Sequence, residues 1–294
     1  MILITGLAGT SGIPFYHILC REHYKNKIRV VVRPTTDISI FENSNLDLEL
    51  VIGDINNIDF MCKAMEGCDT VFHIARKDCS VKIIEAVKKS EQVKNVILVS
   101  STIVYSNHYK RMTLKEDEKE IVSFLKGANI RYCFIRPTMI FGTPYDGNIS
   151  RFIRWFNRFS VFPIVKKGTA NIQPVSRYDV AEGYWLILKN FGNLKDTDYI
   201  VSGKDKMTLA EMFDILVKAC GKKTVFINIP FFIAKAATLT VYYLSFKKID
   251  YREKLDRLTE DRAYSHQKIA QELGYAPKAF ADWVDLLVKE MGIR

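Results

Sequence analysis

Six short apolar runs punctuate the first half of the chain: Ile2–Thr5, Ile28–Val32, Leu48–Ile52, Thr70–Ile74, Val96–Ser100 and Arg131–Ile135. Each is nearly continuous rather than alternating, which is the pattern of parallel strands covered on both faces. Between them lie stretches with helical spacing, such as Val81–Lys89 and Leu114–Leu125. Strands and helices alternating in this way predict an α/β fold with a doubly wound parallel sheet. After Pro137 the rhythm changes. Asn148–Phe159 reads as an aromatic-rich helix. Asp179 with Glu182 reads as a capping box ahead of the apolar run Tyr184–Leu188, and Thr208 with Glu211 as a second one ahead of Met212–Ala219, with Gly221 as its stop. Tyr199–Ser202 reads as a short strand. The most apolar stretch, Ile229–Phe246, is near the lower length limit for a membrane span and contains Lys235. It predicts a buried helix, with a membrane-surface contact as the alternative.

Directly after the first strand comes Thr5-Gly6-Leu7-Ala8-Gly9-Thr10-Ser11-Gly12, and a helical pattern follows through Ile18 and Leu19. Gly6 permits a tight turn, Gly9 lets the backbone approach a pyrophosphate, and Gly12 lets the helix pack closely on the strand. The helix N-terminus offers unpaired N–H groups and a positive dipole end to the phosphates. Gly6, Gly9, Thr10, Ser11 and Gly12 therefore predict a dinucleotide site in a βαβ unit of Rossmann type. The second strand ends in Val32-Arg33. An acidic residue there would bond a ribose 2′-OH, whereas an arginine accommodates a 2′-phosphate, so NADP(H) is expected rather than NAD(H). Asp54 and Ile55 follow the third strand and are placed at the cofactor. The Asp54 carboxylate either accepts from the adenine amino group or caps the helix that begins near Ile58. These boundaries predict a Rossmann domain over residues 1–170, to which 177–203 returns, and a smaller, mostly helical substrate region over 204–294.

The formal charge of +10, from 43 basic and 33 acidic residues, suits an anionic partner. The lysines are spread along the chain and no nucleic-acid-binding signature is present, so the anion is expected to be a phosphate-bearing small molecule and not nucleic acid. Six cysteines show no CxxC spacing and five histidines no metal-ligand spacing. They predict free thiols in a reducing compartment and no metal site. Met1 leads straight into an apolar strand without a basic leader, which fits a cytoplasmic location.

Several segments together resemble the extended short-chain dehydrogenase/reductase family, the NAD(P)-dependent epimerases and dehydratases of nucleotide sugars. They are Thr5–Gly12, Val71–Arg76, Val96–Tyr105, Ile135–Gly142, Gln173–Val175 with Asp179–Ala181, Arg257–Asp261 and Glu272–Pro277, and they span nearly the whole chain. The resemblance implies that Ile74, Ala75 and Arg76 pass under the cofactor, with Ser100 beside it. It implies that Pro137, Thr138 and Met139 flank the nicotinamide, and that Ser101 takes the catalytic serine position and bonds the reacting sugar oxygen. The family also needs a Tyr-x-x-x-Lys pair, in which the tyrosine is the acid/base and the lysine lowers its pKa and holds the ribose. No such pair stands on the helix that follows Ser101. Register counted back from Arg136-Pro137 places Lys115 at the lysine position, and the residue four before it is Arg111. An arginine stays protonated and cannot serve as acid/base, but it suits a substrate phosphate or oxyanion. Tyr105 and Tyr109 are the remaining hydroxyl candidates. Arg257 is a candidate for a second substrate phosphate contact, and Lys166 and Lys167 lie upstream of Ile172, near the position of a further one. The activity expected is that of an NADP(H)-dependent oxidoreductase, epimerase or dehydratase on a nucleotide sugar or related small molecule. The alternative is a catalytically degenerate NAD(P)-binding sensor or regulatory protein. A homodimer is implied by the resemblance alone.

Overall fold

The computed structural model describes residues 1–75, 79–106, 112–248 and 250–293. In chain order the elements are β1 (Ile2–Thr5), α1 (Gly12–Arg21), β2 (Ile28–Val32), β3 (Leu48–Ile52), α2 (Ile58–Ala64), β4 (Thr70–His73), α3 (Ser80–Lys89), β5 (Asn95–Val99), α4 (Met112–Gly127) and β6 (Arg131–Pro137). There follow β7 (Ile140–Phe141), α5 (Ile149–Arg158), β8 (Val161–Val165), β9 (Asn171–Ile172), β10 (Val175–Ser176), α6 (Arg177–Asn190) and β11 (Asp198–Val201). The last are β12 (Met207–Thr208), α7 (Leu209–Ala219), β13 (Val225–Ile229), α8 (Phe231–Leu244), α9 (Arg252–Arg257), α10 (Gln267–Leu273) and α11 (Phe280–Glu290). The six apolar runs of the first half are all strands, displaced by at most two residues. In the five inner runs most side chains are buried, which is why they lack alternation; β3, at the sheet edge, is only partly buried.

The chain divides into two compact units. The first comprises Met1–Pro137, Arg177–Val201 and Ser265–Ala276, and the second Thr138–Ser176, Ser202–Tyr264 and Pro277–Arg294. The first holds one parallel seven-stranded sheet in the order β11-β6-β5-β4-β1-β2-β3. Leu3, Val71, Val96 and Leu98 of the sheet are buried with Ile83, Ile84 and Val87 of α3 and with Ile121 and Leu125 of α4. Each such side chain contributes roughly 1.5–3 kcal/mol by leaving water. On the other side, Phe15 of α1 meets Phe72 of β4 at 5.3 Å and Tyr184 of α6 at 5.7 Å between ring centroids. The sheet is thus covered by helices on both faces, as the α/β reading expects.

The second unit has its own core, in which Ile149, Ile153 and Phe156 of α5 are buried with Met212, Phe213 and Leu216 of α7 and with Phe280, Val284 and Leu287 of α11. This core draws residues 138–176 away from the first unit, so a boundary at 170 does not describe the compact units. Conversely, α10 belongs to the first unit, where Tyr199 of β11 donates to Glu272 and Lys268 pairs with Asp196. The capping box of Thr208 and Glu211 is present at α7, and Gly221 follows that helix at φ 64°. The Asp179 box is not present. The helix starts two residues earlier, at Arg177, and Asp179 lies buried in its first turn, where a carboxylate still opposes the helix dipole.

The larger departure is α8. Its composition predicts a buried helix, yet none of its fourteen residues is buried. It packs against α9, while α5, α7 and α11 complete the core of the second unit without it. Among the described residues no helix is long and apolar enough to cross a membrane. The six cysteines are free thiols.

Candidate dinucleotide site

β1 and β4 are neighbours, with β2 and β3 on one side and β5 and β6 on the other. Strand order reverses here, which is where ligands of open α/β sheets bind. The glycine loop leaves β1 at this point. Gly6 has φ +79°, and a Cβ on it would lie 2.6 Å from the Ala75 amide nitrogen. The Ile74 N–H donates to the Thr5 carbonyl at 3.0 Å, which holds the loop after β4 against the glycine loop. Gly9 donates its N–H to the Gly6 carbonyl at 2.9 Å. A Cβ on Gly12 would stand 2.2 Å from the Gly6 carbonyl oxygen and 2.5 Å from that of Leu7. The third glycine therefore lets α1 press on the loop itself rather than on the strand.

The space over Gly9 is open. A Cβ there would meet only the Gly6 carbonyl, its oxygen at 3.0 Å. At the helix end, Ser11 makes no side-chain cap. The room that a Cβ at Gly9 would fill, beside a helix end without an N-cap side chain, fits the pyrophosphate of a dinucleotide. Gly9 and Thr10 are exposed at that rim. Ser11 is buried instead, its hydroxyl 3.2 Å from the Tyr184 hydroxyl, and so ties α1 to α6. Beneath the loop, the Thr5 hydroxyl and His73 Nδ1 form a fully buried pair at 2.7 Å. The sequence pattern did not single this pair out, because both residues sit inside apolar runs.

Arg33 stands exposed at the carboxyl end of β2, its N–H donating to the Thr36 hydroxyl at 3.2 Å. Asp54 is occupied locally: its Oδ1 accepts from both the main-chain and side-chain nitrogens of Asn56 at 2.9 Å. The cap of α2 is Asn57, whose side chain accepts from the Phe60 N–H, so the capping alternative for Asp54 is corrected to a turn closure one step earlier. Ile55 packs on the core of the first unit. Arg76, Tyr109 and Arg111 lie outside the described residues.

The region after β5 holds a different arrangement. The Ser100 hydroxyl donates to Glu118 of α4, and its N–H to the Ile135 carbonyl at 2.8 Å. Arg136 of β6 donates to Ser100 at 3.2 Å, pairs with Glu118 at 2.9 Å and grips Asp198 of β11 through Nε at 2.7 and 2.9 Å. Only 6% of Arg136 is exposed. Burial works against its charge, but the Glu118 and Asp198 carboxylates outweigh it and hold the guanidinium above its ordinary pKa. Tyr105 closes the cluster, its hydroxyl donating to Asp198 at 3.4 Å and its ring 5.3 Å from the Arg136 guanidinium. Burial pushes the Tyr105 phenol up to about 12, more than Arg136 lowers it. An acid/base tyrosine needs the opposite shift. Ser101 caps the short helical turn that follows, accepting from the Ile103 N–H at 3.3 Å.

On α4 the side chains that line the small cavity beside Ser100, about 20 Å³, are Leu114, Asp117, Glu118 and Ile121. Leu114 and Glu118, four residues apart, thus share the face of α4 that lines the cavity with Ser100. Lys115 is half-buried on the flank of that face, and the side chain that reaches Ser100 is a carboxylate. The cluster of Glu118, Arg136 and Asp198 was not identified from sequence. Its one signal is a charged residue inside the buried run Arg131–Pro137, since a buried arginine requires paired carboxylates.

Pro137 ends β6, and its carbonyl accepts from the Thr102 hydroxyl at 3.4 Å. Thr138 and Met139 open the second unit. The Thr138 hydroxyl donates to the Gln173 carbonyl, and the Met139 carbonyl accepts from the Val175 N–H at 3.0 Å. In the same unit Arg257 ends α9 close to Arg262. Burial first, and then repulsion from Arg257, lowers the Arg262 pKa, and its buried Nε has no hydrogen-bond partner among the described residues.

A parallel sheet with a glycine loop at its reversal point and an open, uncapped helix end defines a Rossmann-type dinucleotide-binding protein. A family model described as NAD(P)H-binding matches residues 8–190, and the chain belongs to that family. The resemblance to the epimerases and dehydratases holds at the level of the fold. The dTDP-glucose 4,6-dehydratase of Streptomyces venezuelae, solved with NAD and TYD bound, is 19% identical with a TM-score of 0.72 over 98% of this chain and 96% of that one. The UDP-glucuronic acid 4-epimerase of Bacillus cereus, in complex with UDP-glucuronic acid and NAD, is 16% identical with a TM-score of 0.71 over 99% and 98%. A curated relative is the mitochondrial NADH dehydrogenase [ubiquinone] 1 alpha subcomplex subunit 9 of Arabidopsis thaliana, 28% identical over 119 residues. That match spans 40% of this chain and 28% of the relative's length.

Proposed function

We propose that the protein is an NADP(H)-binding module without the hydride-transfer proton relay of the epimerases and dehydratases. The observation that carries this reading is the α4 face beside Ser100. It presents Leu114 and Glu118, and Glu118 is held in an ion pair with Arg136. No tyrosine–lysine pair stands there among the described residues. Tyr105, the described hydroxyl nearest to the role, is pushed up to about 12, away from a working acid/base value. The glycine loop and helix end bind the pyrophosphate, Arg33 takes the 2′-phosphate, and Thr10 lies at the rim of the phosphate cradle. NADP(H) itself supplies a hydride when bound. The residues around it hold and orient it, and their protons are committed to Asp198, Glu118 and main-chain partners. Binding would then shift the population of a state that a partner recognises.

A second reading, turnover of a nucleotide sugar, is favoured by one observation. Arg257 and Arg262 stand close, and Arg262 has a buried, unpartnered Nε, an arrangement that an anionic diphosphate would relieve. The deciding experiment titrates the purified chain with NADPH and NADH by nicotinamide fluorescence, then adds UDP- and dTDP-sugars. Tight NADPH binding with no turnover supports the module. Sustained turnover that is lost in Ser101→Ala overturns it in favour of the enzyme.

A further inference from the structure

We propose that α8, with the lysines around it, docks on an anionic phospholipid surface. The exposed half of this helix carries Phe232, Ile233, Val241, Tyr243 and Leu244, with alanine and threonine between them. Phe232 is 72% exposed, Leu244 75%, and Phe246 just beyond the helix 87%. Soluble surfaces rarely present so contiguous an apolar area without something that covers it. The preceding strand β13 adds Val225 at 65% and Ile227 at 54%.

Charge selects the cover. Between Asp214 and Asp250 the chain has no acidic residue, yet it has six lysines: Lys218, Lys222, Lys223, Lys235, Lys247 and Lys248. All six are exposed. Asp250, the first acid after this stretch, is neutralised by Arg252 at 2.9 Å, and Arg252 lies 4.0 Å from the Tyr242 ring centroid. The sequence of α9, which packs on α8, carries Glu253 and Asp256 against Arg252, Lys254 and Arg257. A second copy of the chain would bring this same positive stretch against itself. A helix–helix interface also uses a narrower stripe than the half-cylinder left open here. An anionic bilayer meets both demands, because it takes a broad apolar face at the acyl boundary and lysines at the headgroups. Tyr242, Tyr243 and Phe246 are of the type that settles at that boundary. At about 1.5 Å per residue α8 is near 21 Å long, short of the roughly 30 Å hydrocarbon core, so it lies in the interface and does not cross.

The test is vesicle flotation of the full chain with phosphatidylcholine alone and with phosphatidylcholine containing phosphatidylglycerol, at low and high salt. Light scattering is run alongside. The phosphatidylglycerol vesicles should bind at least about tenfold more tightly, and salt should weaken that preference. Phe232→Ser/Leu244→Ser and Lys247→Glu/Lys248→Glu should each lose the binding, with NADPH affinity unchanged as proof of fold. These side chains are exposed, so the variants spare the core. Absence of vesicle binding overturns the proposal, as does equal binding by wild type and both variants. So does a dimer abolished by Phe232→Ser/Leu244→Ser without any lipid binding, which would assign the face to a second copy.

Discussion

The carboxyl edge of the sheet carries two polar loops that differ in kind. After β1, the glycine loop keeps its hydrogen-bonding capacity for something outside the protein: the helix end lacks a side-chain cap and the space over Gly9 is clear. After β5, the same edge spends that capacity internally, since Ser100, Glu118, Arg136, Asp198 and Tyr105 bond one another. Open polar groups await a ligand, whereas mutually satisfied ones stabilise and specify the fold. On the proposed reading, a sheet edge retains cofactor binding at one loop while the residues after β5 serve the fold.

The largest effect that would break this contrast is expected at Arg136. Arg136→Ala leaves the Glu118 and Asp198 carboxylates facing each other without their shared cation. Removing one partner of a buried pair costs about 3–5 kcal/mol. Urea unfolding should show a loss of that order, while NADPH affinity in the folded fraction stays near wild type. A loss below about 1 kcal/mol would mean the cluster is not structural and would return it to catalysis. At the other loop, Gly12→Ala forces a Cβ to within 2.2 Å of a main-chain oxygen that no rotamer change can move away. Overpacking of this kind costs about 1–3 kcal/mol. Here it also displaces the helix end, so NADPH affinity should fall more than stability does, measured by fluorescence titration beside urea unfolding. Equal behaviour of the two variants would erase the distinction between the loops.

Sequence made the first loop legible and left the second obscure, for physical reasons. Glycine spacing after a strand reports local backbone geometry, so Gly6, Gly9 and Gly12 carry their meaning within seven residues. The Arg136 cluster joins residues 18 and 62 positions apart, and only the fold brings them together. Counting back from Arg136 places Lys115 at the lysine position, while Leu114 and Glu118 line the cavity with Ser100; on a helix, neighbouring positions join different faces, which a count along the sequence does not resolve. The inner strands were legible because burial on both faces makes them largely apolar. α7 and α8 show the limit of that rule. Both are apolar, α7 is buried and α8 is not, because hydropathy reports a tendency to leave water and not whether a covering surface belongs to the same chain.

A smaller effect sharpens what the open loop selects. Arg33 is exposed at the end of β2, so Arg33→Ala removes a cation without disturbing packing. A charge-assisted contact to a 2′-phosphate is worth about 1.5–3 kcal/mol, so NADPH binding should weaken roughly tenfold to hundredfold while NADH binding hardly changes. Equal weakening of both, in the same titration, would remove Arg33 from cofactor selection.

The smallest effect concerns the closed loop and is read as a titration. The Tyr105 phenol, pushed up to about 12, should ionise late. The phenolate absorbance of wild type minus Tyr105→Phe should rise near that value and not near 10. The sign of the stability linkage follows. A phenol that holds its proton more tightly in the folded state favours folding while both states are protonated, and loses that contribution as pH climbs from about 10 through 12. Wild type should therefore lose its advantage over Tyr105→Phe only in that alkaline window. With 41% of the residue exposed, the difference should be modest and salt-sensitive. A phenol that ionised below 10 would be one activated for proton transfer, and the hydroxyl beside Ser101 would then belong to an enzyme after all.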